Sequence, residues 1–142
     1  MNKLSENVEV TLDLNIQTLN NSAAASTWRS MRTYDVGLYR CISGAIAAGG
    51  ALAWQVWQAQ DGAGTNAKVI AGKTAAHTDA EDDTVKEIEV HGEELDASEQ
   101  VGVAGGFCYI KVVATETGTQ DAVVACELLR EAARYKGATM PA

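Results

Sequence analysis

The stretch Asn7–Gln17, NVEVTLDLNIQ, alternates without a break. Val8, Val10, Leu12, Leu14 and Ile16 share one parity. Asn7, Glu9, Thr11, Asp13, Asn15 and Gln17 share the other. Period two is the mark of a half-buried strand, because successive side chains leave a pleated backbone on opposite sides. A helix would need apolar residues at intervals of three and four. The segment therefore predicts a β protein.

Further strand-like runs follow down the chain. NNSAAAS (20–26) interrupts the alternation, and TWRSMRT (27–33) reads as a helical turn or a loop. YDVGLYRCISGAI is a second strand, ended by the glycine-rich AIAAGG. ALAWQVWQAQ is a third, and QDGAGTNA turns it back. KVIAGKTAA is a short strand before an acidic loop, HTDAEDDT. Strand character resumes through Ile88 and Val90. GGFCYIKVVATETG follows, with apolar residues on both faces of Phe107–Thr115, so a central position is expected. TQDAVVACELLRE is the last strand. Helix is expected to be minor and confined to regions such as Ala23–Met31 or Leu128–Arg134.

Seven or so short strands joined by Gly-rich turns predict an all-β, antiparallel β-sandwich or a small barrel. Its organisation reads as an N-terminal strand or arm with its link (1–21) and a sandwich domain with a short C-terminal tail (22–142). A strand edge offers unpaired backbone groups, so the N-terminal strand is expected at an edge or on a neighbouring subunit's sheet.

Trp54 and Trp57 are three residues apart. On a regular strand that spacing puts them on opposite faces, so they form no single stacking platform. One tryptophan faces the core and the other is left for a subunit contact or solvent. The candidate interface residues are therefore Trp54 and Trp57, together with Val8, Val10, Leu12 and Leu14 of the alternating strand.

The chain has 142 residues, with 11 Lys and Arg against 19 Asp and Glu and a formal net charge of −8. A chain of this size buries roughly 68–70% of its unfolded surface and needs no disulfide or metal for stability. Phosphate backbones demand clustered cations, so nucleic acid is not an expected partner. No apolar run is long enough to span a bilayer, and MNKLSENVEV carries no signal-peptide core, so no membrane partner and synthesis in the cytosol are expected. Cys41, Cys108 and Cys126 are odd in number and lie in apolar runs, which predicts three reduced, buried thiols with no intramolecular bridge.

Catalytic patterns fail on spacing. The acidic loop Asp79, Glu81, Asp82 and Asp83 lacks the ordered ligands of a calcium loop. His77 and His91 have no neighbouring ligand for zinc. No Gly-x-Ser-x-Gly is present. Glu93, Glu94 and Asp96 are too close in sequence to flank a glycosidic bond from both sides. Gly72–Thr74 suggests a phosphate loop, but that motif needs a glycine where Ala67 stands. No enzyme activity, cofactor or metal is expected.

YDVGLYRCISGAIAAGGALAWQVWQAQDGAGTNAKVIAGKT (34–74) resembles a pattern among small virion proteins of tailed bacteriophages. There a Tyr-Asp opens a strand, a glycine-rich turn follows, and a Gln-rich strand leads to Asp-Gly-x-Gly and Ile-Ala-Gly. IEVHGEELD and GGFCYIKVVAT resemble its next two strands, and LLREAARYKGA its ending. The matches cover roughly residues 34–138. The resemblance implies a capsid decoration (cement) protein, a β-sandwich or jelly-roll-like trimer without enzymatic activity. It would be made in the host cytoplasm and bind the major capsid protein on the outer surface of the virion. The alternatives are a head–tail connector or tail component, and a carbohydrate-binding β-sandwich module.

Overall fold

The computed structural model describes residues 8–96 and 106–132. Its strands are β1 (Val8–Leu19), β2 (Ala23–Ala25), β3 (Arg29–Ser30), β4 (Tyr34–Ile46), β5 (Ala51–Ala59), β6 (Lys68–Thr78), β7 (Val85–His91), β8 (Tyr109–Glu116) and β9 (Ala122–Ala132). The described helical residues are two single 3-10 turns, Asp79–Glu81 and Gly92–Glu94.

One sheet runs β1-β9-β4-β7. The other runs β2-β8-β5-β6, with β3 also pairing β8, so β2 and β3 act as one interrupted strand. All pairs are antiparallel. With β2 and β3 counted together, every connection except β5 to β6 crosses between the sheets. This is an antiparallel β-sandwich with jelly-roll strand order.

The core lies between the sheets. Tyr39, Cys41, Cys126 and Leu128 come from one side, and Trp54, Val56, Ile110 and Val112 from the other, all fully buried. The alternation of β8 explains its central place: Ile110, Val112 and Ala114 face inward, while Tyr109, Lys111 and Val113 are half-exposed between β2/β3 and β5.

Three sequence expectations change. Ala23–Met31 is not helical: Ala23–Ala25 and Arg29–Ser30 pair with β8. Leu128–Ala132 continues β9, and the rest of the expected C-terminal helix lies outside the described residues. The strand at Lys68 runs on to Thr78, which puts His77 in the sheet rather than in the acidic loop. The backbone is held there by pairing with β5, which depends little on the polarity of Lys73 and Thr74.

The N-terminal strand is an edge strand of its own molecule, hydrogen-bonded along β9. Its Leu14 and Leu19 join the same core as Tyr39, Trp54, Ile110 and Leu128, so the boundary near residue 21 separates no second body among the described residues. The strict alternation of the sequence is broken in space. Leu12 pairs with Glu127 and Leu14 with Cys126, so Asp13 is an extra residue that pairs with nothing on β9. A second irregularity falls between Leu14 and Gln17. A bulge of this kind shifts the parity of every later side chain. Val10 and Leu12, 61% and 55% exposed, therefore point outward, while Leu14 at 4% points inward.

Candidate functional site

The outer face of the β1-β9-β4-β7 sheet carries an open apolar surface. Its rows follow from the register. Val10, Leu129, Leu38 and Glu89 lie side by side across the four strands, and Val8, Glu131, Val36 and His91 form the next row. Leu12, Glu127, Arg40 and Glu87 form a charged row, with Arg40 Nη1 3.3 Å from Glu127. Beyond it, Ile42 lies beside Val85, which is 44% exposed. The first two rows enclose a shallow hollow of about 220 Å³ with an apolar floor and Glu89 and Glu131 at its sides. An apolar surface rimmed by carboxylates and bounded by an edge strand is suited to covering by another protein.

The outer face of the other sheet carries the aromatic residues. Trp54 is 1% exposed and lies in the core. Trp57 is half-buried on the outer face, beside Lys111 and Val69 in the register. Trp28 joins it there from the segment before β3. The Lys111 ammonium lies 4.7 Å from the Trp28 ring and 5.8 Å from the Trp57 ring, a favourable cation–π arrangement. Trp28 is held by the β5–β6 loop. Gly64 has φ +85°, and a Cβ there would come within 2.7 Å of the Trp28 indole nitrogen. Asp61 shapes that loop by accepting hydrogen bonds from the Ala63 and Thr65 amides, both at 3.0 Å. Sequence spacing separates the two faces of Trp54 and Trp57 correctly. It misses Trp28, whose place depends on a loop more than thirty residues away.

Of the predicted interface set, Val8, Val10 and Leu12 lie on the first face and Trp57 on the second. Leu14 and Trp54 are core residues and are not available for contact in the folded chain.

A polar network ties β1 to the opposite sheet. Arg29 Nε donates to Asp13 Oδ1 at 2.7 Å, and the Asp13 side chain is fully buried. Burial raises the Asp13 carboxyl above the ordinary range, against the pull of Arg29 and Arg130. Arg130 donates to the Ser30 carbonyl at 2.8 Å and to Glu9 at 2.6 Å, and it stacks on the Tyr34 ring. These contacts anchor the bulge rather than form a reactive cleft.

Several other carboxylates are held by structural partners. Glu94 accepts from the His91 amide at 2.7 Å and from Lys73 at 2.9 Å, and Asp96 pairs with Lys68. Glu81 pairs with Lys86 at 2.8 Å, and Asp79 accepts from the Gly49 amide at 2.7 Å. The buried Glu116 accepts from the amides of Asn21 and Gly118 and so fastens two loops. Among the described residues no group of three or more His, Cys, Asp or Glu is placed to hold a metal ion, and no helix is long and apolar enough to cross a membrane.

No protein-family model matches the sequence, and no curated protein aligns with it. Solved structures do share its fold. The chain is similar to a chain in the structure of infectious bursal disease virus, Gx strain, with a TM-score of 0.53 at 10% identity over 94% of this chain and 34% of that one. It is similar in the same degree to the VP2 subviral particle of that virus, with a TM-score of 0.53 at 10% identity over 94% and 35%. The chain thus spans about a third of the length of these virus-particle chains. At such identity the likeness is one of fold: this chain is a β-sandwich of the jelly-roll kind that occurs in virus particles.

Proposed function

We propose that this protein is a virion component of the tailed-phage decoration (cement) type. It is a non-enzymatic β-sandwich that binds the major capsid protein on the outside of the shell and stabilises it, as a homotrimer. The observation that carries this reading is the open face of the β1-β9-β4-β7 sheet. Val10 and Leu12 stand more than half exposed there beside the floor of Val8, Val36, Leu38 and Leu129. A monomer gains nothing from such a surface, whereas a protein that covers a neighbour uses it as the dry centre of an interface. A net charge of −8 keeps free copies apart before they bind.

The test is co-sedimentation with intact phage particles, with the copy ratio to the shell protein measured. A fixed stoichiometry on tailless shells supports decoration. Binding to tails alone places the protein in a connector or tail instead. No binding to either removes the virion reading.

A second reading rests on the other face. Trp28 and Trp57 flank Lys111 beside Tyr109, an arrangement suited to stacking a sugar ring. Oligosaccharide titration followed by tryptophan fluorescence decides it. Saturable binding that is lost in Trp57→Ala and in Trp28→Ala favours a carbohydrate-binding module.

A further inference from the structure

Cys41 on β4 and Cys126 on β9 are direct partners in the antiparallel register. Both are 0% exposed and both point into the core. Directly opposed residues in such a pair have Cα atoms about 4.5–5.5 Å apart. Disulfides span about 4.4–6.8 Å between Cα atoms. The register therefore sets the two α-carbons at a separation that a disulfide spans, with both side chains on the core side of the sheet. Cys108 is placed differently. It precedes β8 in the other sheet, its Sγ donates to the Gln60 carbonyl at 3.3 Å, and Arg32 donates to it at 3.4 Å.

We propose that Cys41 and Cys126 are a latent cross-strand disulfide, which closes when the chain folds in an oxidising medium and leaves Cys108 as a free thiol. The step is ordinary thiol–disulfide exchange. One cysteine thiolate attacks oxidised glutathione, forms a mixed disulfide and releases one glutathione thiolate. The second cysteine then attacks the protein sulfur of that mixed disulfide and expels the other glutathione. Two protein thiols lose two protons and two electrons, and one oxidised glutathione becomes two reduced molecules. Glutathione needs room that the closed core does not offer, so the exchange belongs to folding or to transient opening. In the folded chain the Cys126 thiol is held high by its hydrogen bond to Cys41 and by burial, which keeps that thiol unreactive.

The bridge would join the two middle strands of the β1-β9-β4-β7 sheet across most of the described chain. Closing so long a loop restricts the unfolded state strongly. A reducing cytosol keeps the pair open, and an oxidising exterior favours the staple. This holds whether or not the virion reading stands.

The experiment refolds the full chain in a buffer of oxidised and reduced glutathione and maps disulfides by mass spectrometry without reduction. The expected result is a Cys41–Cys126 linkage with Cys108 free, and a melting temperature raised by roughly 10 °C over the reduced protein. Cys108→Ser should form the same bridge, and Cys126→Ser should form no intramolecular bridge and show no rise. Refolded protein that remains fully reduced, or that links Cys108 to either partner as readily, overturns the proposal. A Cys41–Cys126 bridge that lowers the melting temperature also overturns it as a stabilising staple.

Discussion

The indole nitrogen of Trp54 donates to Nδ1 of His77 at 3.0 Å, inside the core and across the β5–β6 pair. The bond assigns the tautomer. Nδ1 is the acceptor, so the ring proton sits on Nε2, which is buried against the Thr84 backbone without a well-formed hydrogen bond. Burial, with Lys86 adding repulsion, lowers the pKa of His77 below 6.5. The folded state thus prefers neutral imidazole. The stability this confers is fully present above about pH 6.5 and is lost as pH falls toward the lowered folded value. Urea unfolding should show a midpoint that drops between pH 7.5 and 5.5. His77→Leu should be less stable at pH 7.5 by about 1–3 kcal/mol, because the Trp54 N–H loses its acceptor, and its midpoint should be flatter over that window. An unchanged slope in the variant would assign the pH dependence to other groups.

Asp13 and Arg29 give a second, asymmetric expectation. The carboxylate is fully buried and the arginine is about a third exposed. Arg29→Ala leaves a buried charge with one partner fewer and should cost about 3 kcal/mol near neutral pH. Asp13→Ala frees Arg29 to turn toward water and should cost less. The folded pKa of Asp13 is already raised by burial. The deficit of Arg29→Ala should therefore shrink as pH falls toward 4 and the carboxyl takes a proton. Denaturant midpoints of both variants at pH 7 and pH 4 check the sign.

Much of this architecture is legible in the sequence. Period two identifies β1, and strand-like apolar runs bounded by turn residues identify β4, β5, β7, β8 and β9, while the apolar residues on both faces of Phe107–Thr115 identify the centre of its sheet. The opposite faces of Trp54 and Trp57 follow from strand geometry alone. What the sequence hides has a common cause. Ala23–Ala25 and Arg29–Ser30 have little strand propensity of their own and become strands because β8 offers them a partner. The bulge at Asp13 leaves no trace in the alternation of residues 7–17, yet it decides that Leu12 is outside and Leu14 inside. The opposition of Cys41 and Cys126 depends on register between segments far apart in the chain, which composition does not encode.

The two sheet tryptophans should separate stability from contact. Trp54→Ala empties a fully buried site and removes the His77 hydrogen bond, so it should cost about 3–5 kcal/mol and threaten folding. Trp57→Ala removes a half-buried ring from an outer face and should cost about 1 kcal/mol, leaving the circular-dichroism spectrum unchanged. Of these two, only Trp57→Ala can therefore report on whether the aromatic face contacts a ligand or a subunit. A Trp57→Ala protein as unstable as Trp54→Ala would mean that the outer ring is part of the core.

Leu12 and Leu14 make the sharpest test of the open apolar face, because they sit two residues apart on one strand and the bulge at Asp13 sends them to opposite sides. Leu12 is 55% exposed and Leu14 is 4% exposed. Leu14→Ala should lose about 2–5 kcal/mol through the cavity it leaves. Leu12→Glu should cost no more than about 1 kcal/mol, since its side chain already meets water and the only new penalty is a like charge facing Glu127 across the strand pair. In the presence of the shell the order should reverse. Leu12→Glu and Val10→Glu put charge at the centre of the proposed interface and should reduce particle occupancy at least tenfold, or about 1.4 kcal/mol or more. Leu14→Ala should bind normally wherever it remains folded. Chemical denaturation and quantitative co-sedimentation on the same preparations read both effects. Full occupancy by Leu12→Glu and Val10→Glu would move the contact off the β1-β9-β4-β7 face and onto another surface of the molecule.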